Sequence, residues 1–309
     1  MIAAFFTEER RKMKPIIITF GEIIWDVYPD ARHIGGAAFN FASHAAKCGA
    51  GSVLVSAVGN DGLGDMAVTC AEGFGVGTSM IKRTSEPTGQ CLVTLDEKKI
   101  PSFTVLQNAA YDNISLSDGD IGKIREMRPQ ALYFGTLIQR SPASRGALGK
   151  LTENVAFPEI VCDINLRKGC YTAQSARFCL KKATVLKLSD EEEPLLRKMG
   201  FYISDDRPEN ILHAISAAFP NIKVILLTCG ERGAYAYAAA DGKLIGVPAK
   251  KVVPVSSVGA GDSFIAAFTT AYLCGEPIGS ALEKAVALSA YVVSKADAVP
   301  EYDYGFFAL

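Results

Sequence analysis

The sequence predicts an α/β protein: a doubly wound, mostly parallel sheet flanked by helices, with a small separate β-sheet attached. Three observations carry that prediction. From Leu116 onward, apolar runs near 131–135, 159–163, 184–188 and 223–228 alternate with stretches of helix length, the rhythm of a parallel sheet covered on both faces. Before that point a hairpin pattern interrupts the alternation, Gly89 to Asp96 and Ser102 to Leu106 across Glu97-Lys98-Lys99-Ile100-Pro101. The 309 residues contain no low-complexity run, linker or internal repeat, so the chain reads as one domain, 1–309.

The elements follow in order. Pro15 to Phe20 is an apolar strand ending at Gly21. A dinucleotide-binding unit would continue with further glycines and a helix. Here Glu22 to Tyr28 is again extended and β-rich, broken at Pro29-Asp30, so the chain leaves the main sheet. We assign this stretch and the later hairpin to one accessory sheet, built from about 22–36 and 88–108. Gly35-Gly36 opens the first convincing helix, which runs through Ala46 and stops at Gly49. Ser52 to Val58 is a strand, and Gly59 to Gly64 a tight turn into another helix. Ala234 to Ala240 and Lys243 to Val247, joined by Asp241-Gly242, form a second hairpin. Two helices, roughly 261–274 and 278–294, complete the pattern.

Composition removes several classes of function. The 32 Lys and Arg residues nearly balance 33 Asp and Glu, without a long basic run, so nucleic acid is not an expected partner. Eight cysteines, at 48, 70, 91, 162, 170, 179, 229 and 274, form no CxxC pair and read as reduced core thiols of a cytoplasmic protein. The three histidines, 33, 44 and 213, lack metal-ligand spacing. No apolar run is long enough to span a membrane. The opening Met1 to Phe6 is too short for a secretory signal and is followed by Glu8 and Glu9. Met13 reads as an alternative start, with the first dozen residues a loose extension.

The most informative stretch is Val258-Gly259-Ala260-Gly261-Asp262-Ser263-Phe264, between the Pro-broken run Lys251 to Val255 and a helical pattern from Ser263 to Cys274. Its glycines let backbone crowd a ligand, and amides at a helix start attract phosphate oxygens. A carboxylate there, Asp262, would repel phosphate unless a substrate hydroxyl must lose its proton beside the phosphate it attacks. Taken alone, the stretch also fits a plain helix start with an acidic first turn.

Other candidates stand at strand ends or helix starts, where ligands bind in open sheets of this kind. Gly35-Gly36 with Asn40 suits a ligand touching backbone while an amide grips its hydroxyls, or simply a helix opening. Asp26, beside Trp25, offers an acceptor-only carboxylate to a pair of hydroxyls, or is an edge-strand charge. Asp163-Ile164-Asn165-Leu166-Arg167 follows a strand, and alternation puts Asp163, Asn165 and Arg167 on one face, that of a wet cleft or of an exposed loop. Ser189 to Glu192 fits a capping box, with a metal-side role for Glu192 compatible with it. Thr228-Cys229-Gly230-Glu231-Arg232-Gly233 is a glycine-rich exit from a strand, suited to a nucleotide or to a turn. No Walker loop exists, because Gly122-Lys123, Gly149-Lys150 and Gly242-Lys243 are followed by Ile124, Leu151 and Leu244. The dinucleotide fingerprint fails at Phe264.

With these pieces in order, the chain from about Pro15 to Pro300 resembles the ribokinase-like (PfkB) carbohydrate kinases, and within them the fructokinase-like branch. The 258–264 stretch looks like the family's C-terminal signature, which implies Asp262 as catalytic base and Gly259, Ala260 and Gly261 as anion hole. Gly35, Gly36 and Asn40 match the N-terminal Gly-Gly motif, and Asp26 the acidic sugar-binding position on a lid; Asn165 and Arg167 join them on the sugar side. Glu192 matches the acidic end of the Asn-x-x-Glu motif that orders water around Mg²⁺, although Ser189 stands where Asn is usual. Thr228, Gly230 and Gly233 match the nucleotide-side turn, with Lys187 of the Lys-Leu-Ser-Asp-Glu-Glu run beside them. Ala109-Ala110-Tyr111-Asp112, Phe134-Gly135-Thr136-Leu137 and Asp163-x-Asn165-x-Arg167 look specifically like the fructokinase branch. The signature is normally preceded by Asp-Thr, and that Asp helps hold the loop carrying K⁺ in members that bind it; Ser256-Ser257 here argues against K⁺ activation.

The resemblance implies in-line phosphoryl transfer from ATP, with Mg²⁺, to a primary hydroxyl of a free sugar, fructose first. The accessory sheet would be the lid that closes over the sugar and excludes water, and pairing of lids would make a homodimer. Rival acceptors on the same fold are ribose, 2-keto-3-deoxygluconate, a nucleoside or a sugar phosphate, for which Arg140 and Arg167 are candidate cations. A sugar-binding regulator and a nicotinamide-dependent oxidoreductase are rivals of other classes; the first has no need of a base at Asp262, and the second lacks its fingerprint.

Overall fold

The computed structural model describes residues 14–95, 101–167, 169–200, 203–303 and 305. Residues 1–13, with Met13, and the tip of the first hairpin lie outside the described residues.

Among the described residues, nine strands form the large sheet. In chain order they are β1 (Ile16–Phe20), β4 (Gly51–Gly59), β5 (Ile81–Thr84), β8 (Ala131–Gly135), β9 (Glu159–Asp163), β10 (Val185–Ser189), β11 (Val224–Thr228), β12 (Ala234–Ala238) and β13 (Lys243–Val247). Their order across the sheet is β13-β12-β11-β10-β9-β8-β1-β4-β5. Pairing is parallel from β5 to β11. Only the closing hairpin, β12 and β13, runs antiparallel.

Alternation along the parallel strands separates two apolar layers. Ile18, Leu132, Phe134, Leu186 and Leu227 point to one face, over which pack α3 (Asp118–Glu126), α4 (Pro142–Asn154), α5 (Ala173–Lys182) and α7 (Pro208–Ala218). Ile17, Leu54, Tyr133, Val185 and Leu226 point to the other, against α1 (Ala37–Lys47), α2 (Gly62–Gly73), α8 (Ala260–Leu273) and α9 (Ile278–Val293). Strands buried on both faces read as continuous apolar runs, which is why they were visible in the sequence. A further short helix, α6 (Glu193–Lys198), follows β10.

The second sheet has the order β3-β2-β6-β7, from β2 (Ile24–Val27), β3 (Arg32–Gly35), β6 (Gly89–Leu95) and β7 (Pro101–Val105). The 22–34 stretch and the hairpin do share one sheet, joined by parallel pairing of β2 with β6. Trp25 anchors it: the indole is buried and donates to Leu63 O at 3.1 Å. The strand ends β1, β9, β10 and β11, the start of α8 and the inner face of this small sheet converge on one cavity.

Six of the eight cysteines are buried and all eight are free thiols. No helix among the described residues is long and apolar enough to cross a membrane.

Candidate active site

The site is built from the first turn of α8. Ahead of it, the amides of Val255 and Ser256 donate to Val293 O on α9 at 2.8 and 3.2 Å, which fixes the approach of the chain. Gly259 then turns with φ +80°, and a Cβ there would lie 2.5 Å from Ala298 O. Left-handed backbone and main-chain crowding together demand glycine. The Ser263 amide donates to Gly259 O at 2.9 Å and the Ala260 amide to Ser257 O at 3.3 Å. Among the described residues the amides of Gly261 and Asp262 bond to no acceptor of the chain, as the first turn of a helix allows. Directly beneath, Lys187 Nζ would stand 3.0 Å from a Cβ on Gly261, so a positive charge backs the same turn.

Asp262 is 7 % exposed and accepts a hydrogen bond from Asn40 Nδ2 at 2.8 Å. Burial lifts its pKa to about 7, with Asp163 pushing the same way and the Asn40 bond, Lys187 and Arg167 opposing. A carboxylate poised there can take a proton at neutral pH. Lys187 is buried and bonds both oxygens of Asp163, at 3.1 and 3.0 Å. The two are register partners on β10 and β9. Burial alone would depress the ammonium, but Asp163 and Glu192 more than offset it and hold it charged.

On the other side of Asp262 stand the residues of the small sheet and α1. Gly36, at φ +102°, caps α1, and a Cβ would meet Glu22 O at 2.8 Å. Glu22 Oε1 accepts the Ala37 amide at 2.9 Å. Gly35 leaves room between Asp26 Oδ2 and Asn40 Oδ1, which a Cβ would meet at 3.4 and 3.9 Å. Among the described residues, Asn40 Oδ1 is buried without a partner. Burial raises the Asp26 pKa, while Arg167, His33 and Cys91 work against that rise.

These groups surround one cavity of about 430 Å³. Asp26, Gly36, Asn40, Asn165 and Arg167 line it, together with Gly259 to Asp262 and with Lys187, Thr228 and Gly230. The expected one-face alternation of Asp163, Asn165 and Arg167 is not how they meet there. β9 ends at Asp163, and Asn165 turns with φ +37°, its loop held by Thr136 Oγ1 donating to Ile164 O at 2.8 Å. Asp163 faces Lys187, while Arg167 is exposed in the cavity.

Three sequence candidates stand back from the cavity lining. Gly35 spaces its neighbours as described. Gly233 packs against main chain, with a Cβ only 2.1 Å from Val247 O, so it shapes the β11–β12 turn. Glu192 accepts the Leu166 amide at 2.6 Å and the Ser189 amide at 2.8 Å, tying β10 to the loop that carries Asn165 and Arg167. Asp190 and Glu191 face the cavity instead. Arg140 is also committed: its fork grips Asp112 with two bonds of 2.8 Å and donates to Leu106 O at 2.8 Å. Glu22 and Cys91 line the cavity and escaped the sequence reading. The only signal for Glu22 was a carboxylate directly after a strand-ending glycine.

A doubly wound α/β fold with a small second sheet, and a poised carboxylate under unpaired helix-start amides, define a protein that can deprotonate a hydroxyl beside an anion. The chain belongs to the pfkB family of carbohydrate kinases, whose family model matches residues 18–302. It is 27 % identical over 256 residues to the "putative sugar kinase PH1459" of Pyrococcus horikoshii, covering 80 % of this chain and 76 % of that one. It is 26 % identical over 275 residues to the probable fructokinase-5 of Arabidopsis thaliana, 82 % of each. With an ATP-dependent 6-phosphofructokinase of Thermoanaerobacterium thermosaccharolyticum it shares 25 % over 292 residues, 89 % of this chain and 87 % of that one. The Pyrococcus sugar kinase in complex with ATP superposes with a TM-score of 0.79 at 24 % identity, over 95 % of this chain and all of that one. The Vibrio cholerae O395 fructokinase bound to fructose, ADP and calcium gives 0.76 at 22 %, over 92 % and 94 %. The fold is ribokinase-like, and the chain is a carbohydrate kinase.

Proposed function

We propose that this kinase transfers the γ-phosphoryl group of ATP to a hydroxyl of a free sugar, fructose first, with Asp262 as catalytic base. The observation that carries this reading is the placement of Asp262, with a pKa near 7, between the unpaired amides of its own helix turn and the side chains of Asn40 and Asp26. Asp26 and Asn40 Oδ1 are acceptors suited to sugar hydroxyls, and Arg167 is the exposed cation among them. The sugar hydroxyl gives its proton to Asp262 as its oxygen bonds to phosphorus. The bond from phosphorus to the ADP oxygen breaks in line. Gly259 to Gly261 and Lys187 stabilise the charge on the moving phosphoryl group. Thr228 and Gly230 lie where the nucleotide would run.

Mg²⁺ would arrive with ATP and neutralise charge on its phosphates. Both Glu192 oxygens already hold main-chain amides, so its part is to order the loop around a hydrated ion. The carboxylate that fits a more direct role is Glu191 at the cavity edge, since Asp190 pairs with Arg232. Nothing in the chemistry of Ser256, a neutral hydroxyl, calls for K⁺. We read residues 1–309 as one domain, with the small sheet as its lid, and the lid's outer face as the surface for a homodimer in the cytoplasm.

A sugar phosphate is the second reading, favoured by the similarity to a 6-phosphofructokinase and by Arg167. It is weakened by Arg140, whose Nε and Nη2 are held by Asp112 and which lies outside the cavity lining. An ADP-release screen across free ketoses, aldoses, nucleosides and sugar phosphates with Mg²⁺ separates them. Release with fructose and none with fructose 6-phosphate is expected, and the reverse overturns the free-sugar reading.

A further inference from the structure

We propose that His44 is a positioning residue for phosphoryl transfer: it pins the C-terminal segment 294–303 against the Gly259 turn, and so sets the shape of the phosphate cradle. The inference rests on the reading of 259–262 as the transfer site.

His44 is fully buried on α1 and does not line the cavity. Its Nε2 lies 2.9 Å from Ala298 O and its Nδ1 2.6 Å from the Tyr302 hydroxyl. A carbonyl can only accept, so Nε2 carries the proton and Nδ1 accepts from Tyr302; both functions of a neutral imidazole are then used. Burial, which drives its pKa down to about 4, keeps the ring in that neutral form.

The carbonyl that His44 holds is the one against Gly259. A Cβ on Gly259 would meet Ala298 O at 2.5 Å and Ala298 Cα and Cβ at 2.9 Å each. The segment therefore fills the space beside the turn, and its position dictates where the turn can sit. Asn40 and His44 lie one turn apart on the same face of α1. Asn40 bonds Asp262, and His44 bonds what packs on Gly259, so one helix sets both the base and the amides beside it. The Tyr302 end is itself braced. Its ring stacks on His44 at 5.7 Å and 15°, Lys47 Nζ lies 4.9 Å over it, and Lys47 pairs with Glu301 at 3.1 Å. An apolar side chain would fill the same volume but would leave Ala298 O and the Tyr302 hydroxyl without these bonds.

The test uses the full chain with fructose and ATP–Mg²⁺, and compares His44→Leu, His44→Gln, Tyr302→Phe and Asp262→Asn. Readouts are kcat, both KM values, calorimetric binding of ATP–Mg²⁺ and melting temperature. A small displacement of a cradle is costly, so His44→Leu is expected to lose at least about tenfold in kcat while the KM for fructose stays within about twofold. ATP–Mg²⁺ should bind it about tenfold more weakly. His44→Gln, whose amide can donate to Ala298 O, should recover to within about threefold of the parent, whereas a merely structural loss would not be rescued. His44→Leu with parental kcat and ATP affinity overturns the proposal, as does equal damage in the Leu and Gln variants. Should His44→Leu fail to fold, Tyr302→Phe decides, since it deletes a single hydroxyl: unchanged kcat and ATP binding overturn the proposal. An active Asp262→Asn would sink the site reading and this inference with it. An inactive one beside a fully active His44→Leu sinks this inference alone.

Discussion

The Asn40 side-chain amide donates to Asp262 Oδ2 at 2.8 Å, across 222 positions of the chain. That single bond ties α1, which opens on the small-sheet side, to the first turn of α8 on the phosphate side. It stabilises the ionised carboxylate against a burial that favours the neutral acid. Replacing Asn40 by Leu should therefore raise the Asp262 pKa further. We expect the acid limb of the kcat/KM–pH profile, near 7 in the parent, to move up by about one unit, the size of a charge-assisted hydrogen bond. A profile that keeps its midpoint would show that the bond does not tune the base.

Asp262→Asn should cut turnover by roughly 10²–10⁴-fold, the usual size of a general-base contribution. Its stability should change in the opposite sense. A carboxylate whose folded pKa lies above its unfolded value costs stability progressively as pH rises from about 4 to about 7. The amide escapes that cost, so the variant should melt higher than the parent at pH 8, with on the order of 1–3 kcal/mol gained. Near-parental rate in this variant would refute the assignment of the base.

Lys187→Met leaves Asp163 buried and unpaired, which typically costs about 3–5 kcal/mol. Adding Asp163→Leu should restore much of the melting temperature, because both charges are then gone. It should not restore ATP affinity, because the cation behind Gly261 is still missing. Full recovery of ATP binding in the double variant would confine Lys187 to a structural part.

Arg140→Lys probes the second acceptor reading. The lysine cannot reproduce the fork on Asp112, and a loss of about 1–3 kcal/mol in stability is expected. The KM for the acceptor should stay within about twofold, as the residue is outside the cavity lining. A large rise in that KM, specific to a phosphorylated sugar, would bring Arg140 back as a ligand for substrate phosphate.

Much of the fold was legible because its signals are local. The strands at 131–135 and 159–163 appear as read, and those at 185–189 and 224–228 within a residue. β5 was missed: Ile81-Lys82-Arg83-Thr84 is a short, polar, half-exposed edge strand with no apolar run to announce it. Gly36 and Gly259 were readable because backbone that turns with positive φ against crowding main chain needs glycine wherever it occurs. Gly233 carries the same mark, positive φ with close packing on Val247, away from the cavity lining, so the motif alone could not tell a ligand turn from a structural one.

The order of elements and the candidacy of Asp262 were determined by the sequence itself, since periodicity, turn chemistry and helix-start motifs act over a few residues. Tertiary structure decided what those residues do electrically. Glu22 became a cap for Ala37, Arg140 a clamp on Asp112, and Lys187 the partner of Asp163, because strands and helices far apart in the chain were brought side by side. Burial then lifted Asp262 to a pKa of about 7, since the cost of a charge depends on what replaces water around it, and only the folded chain determines that.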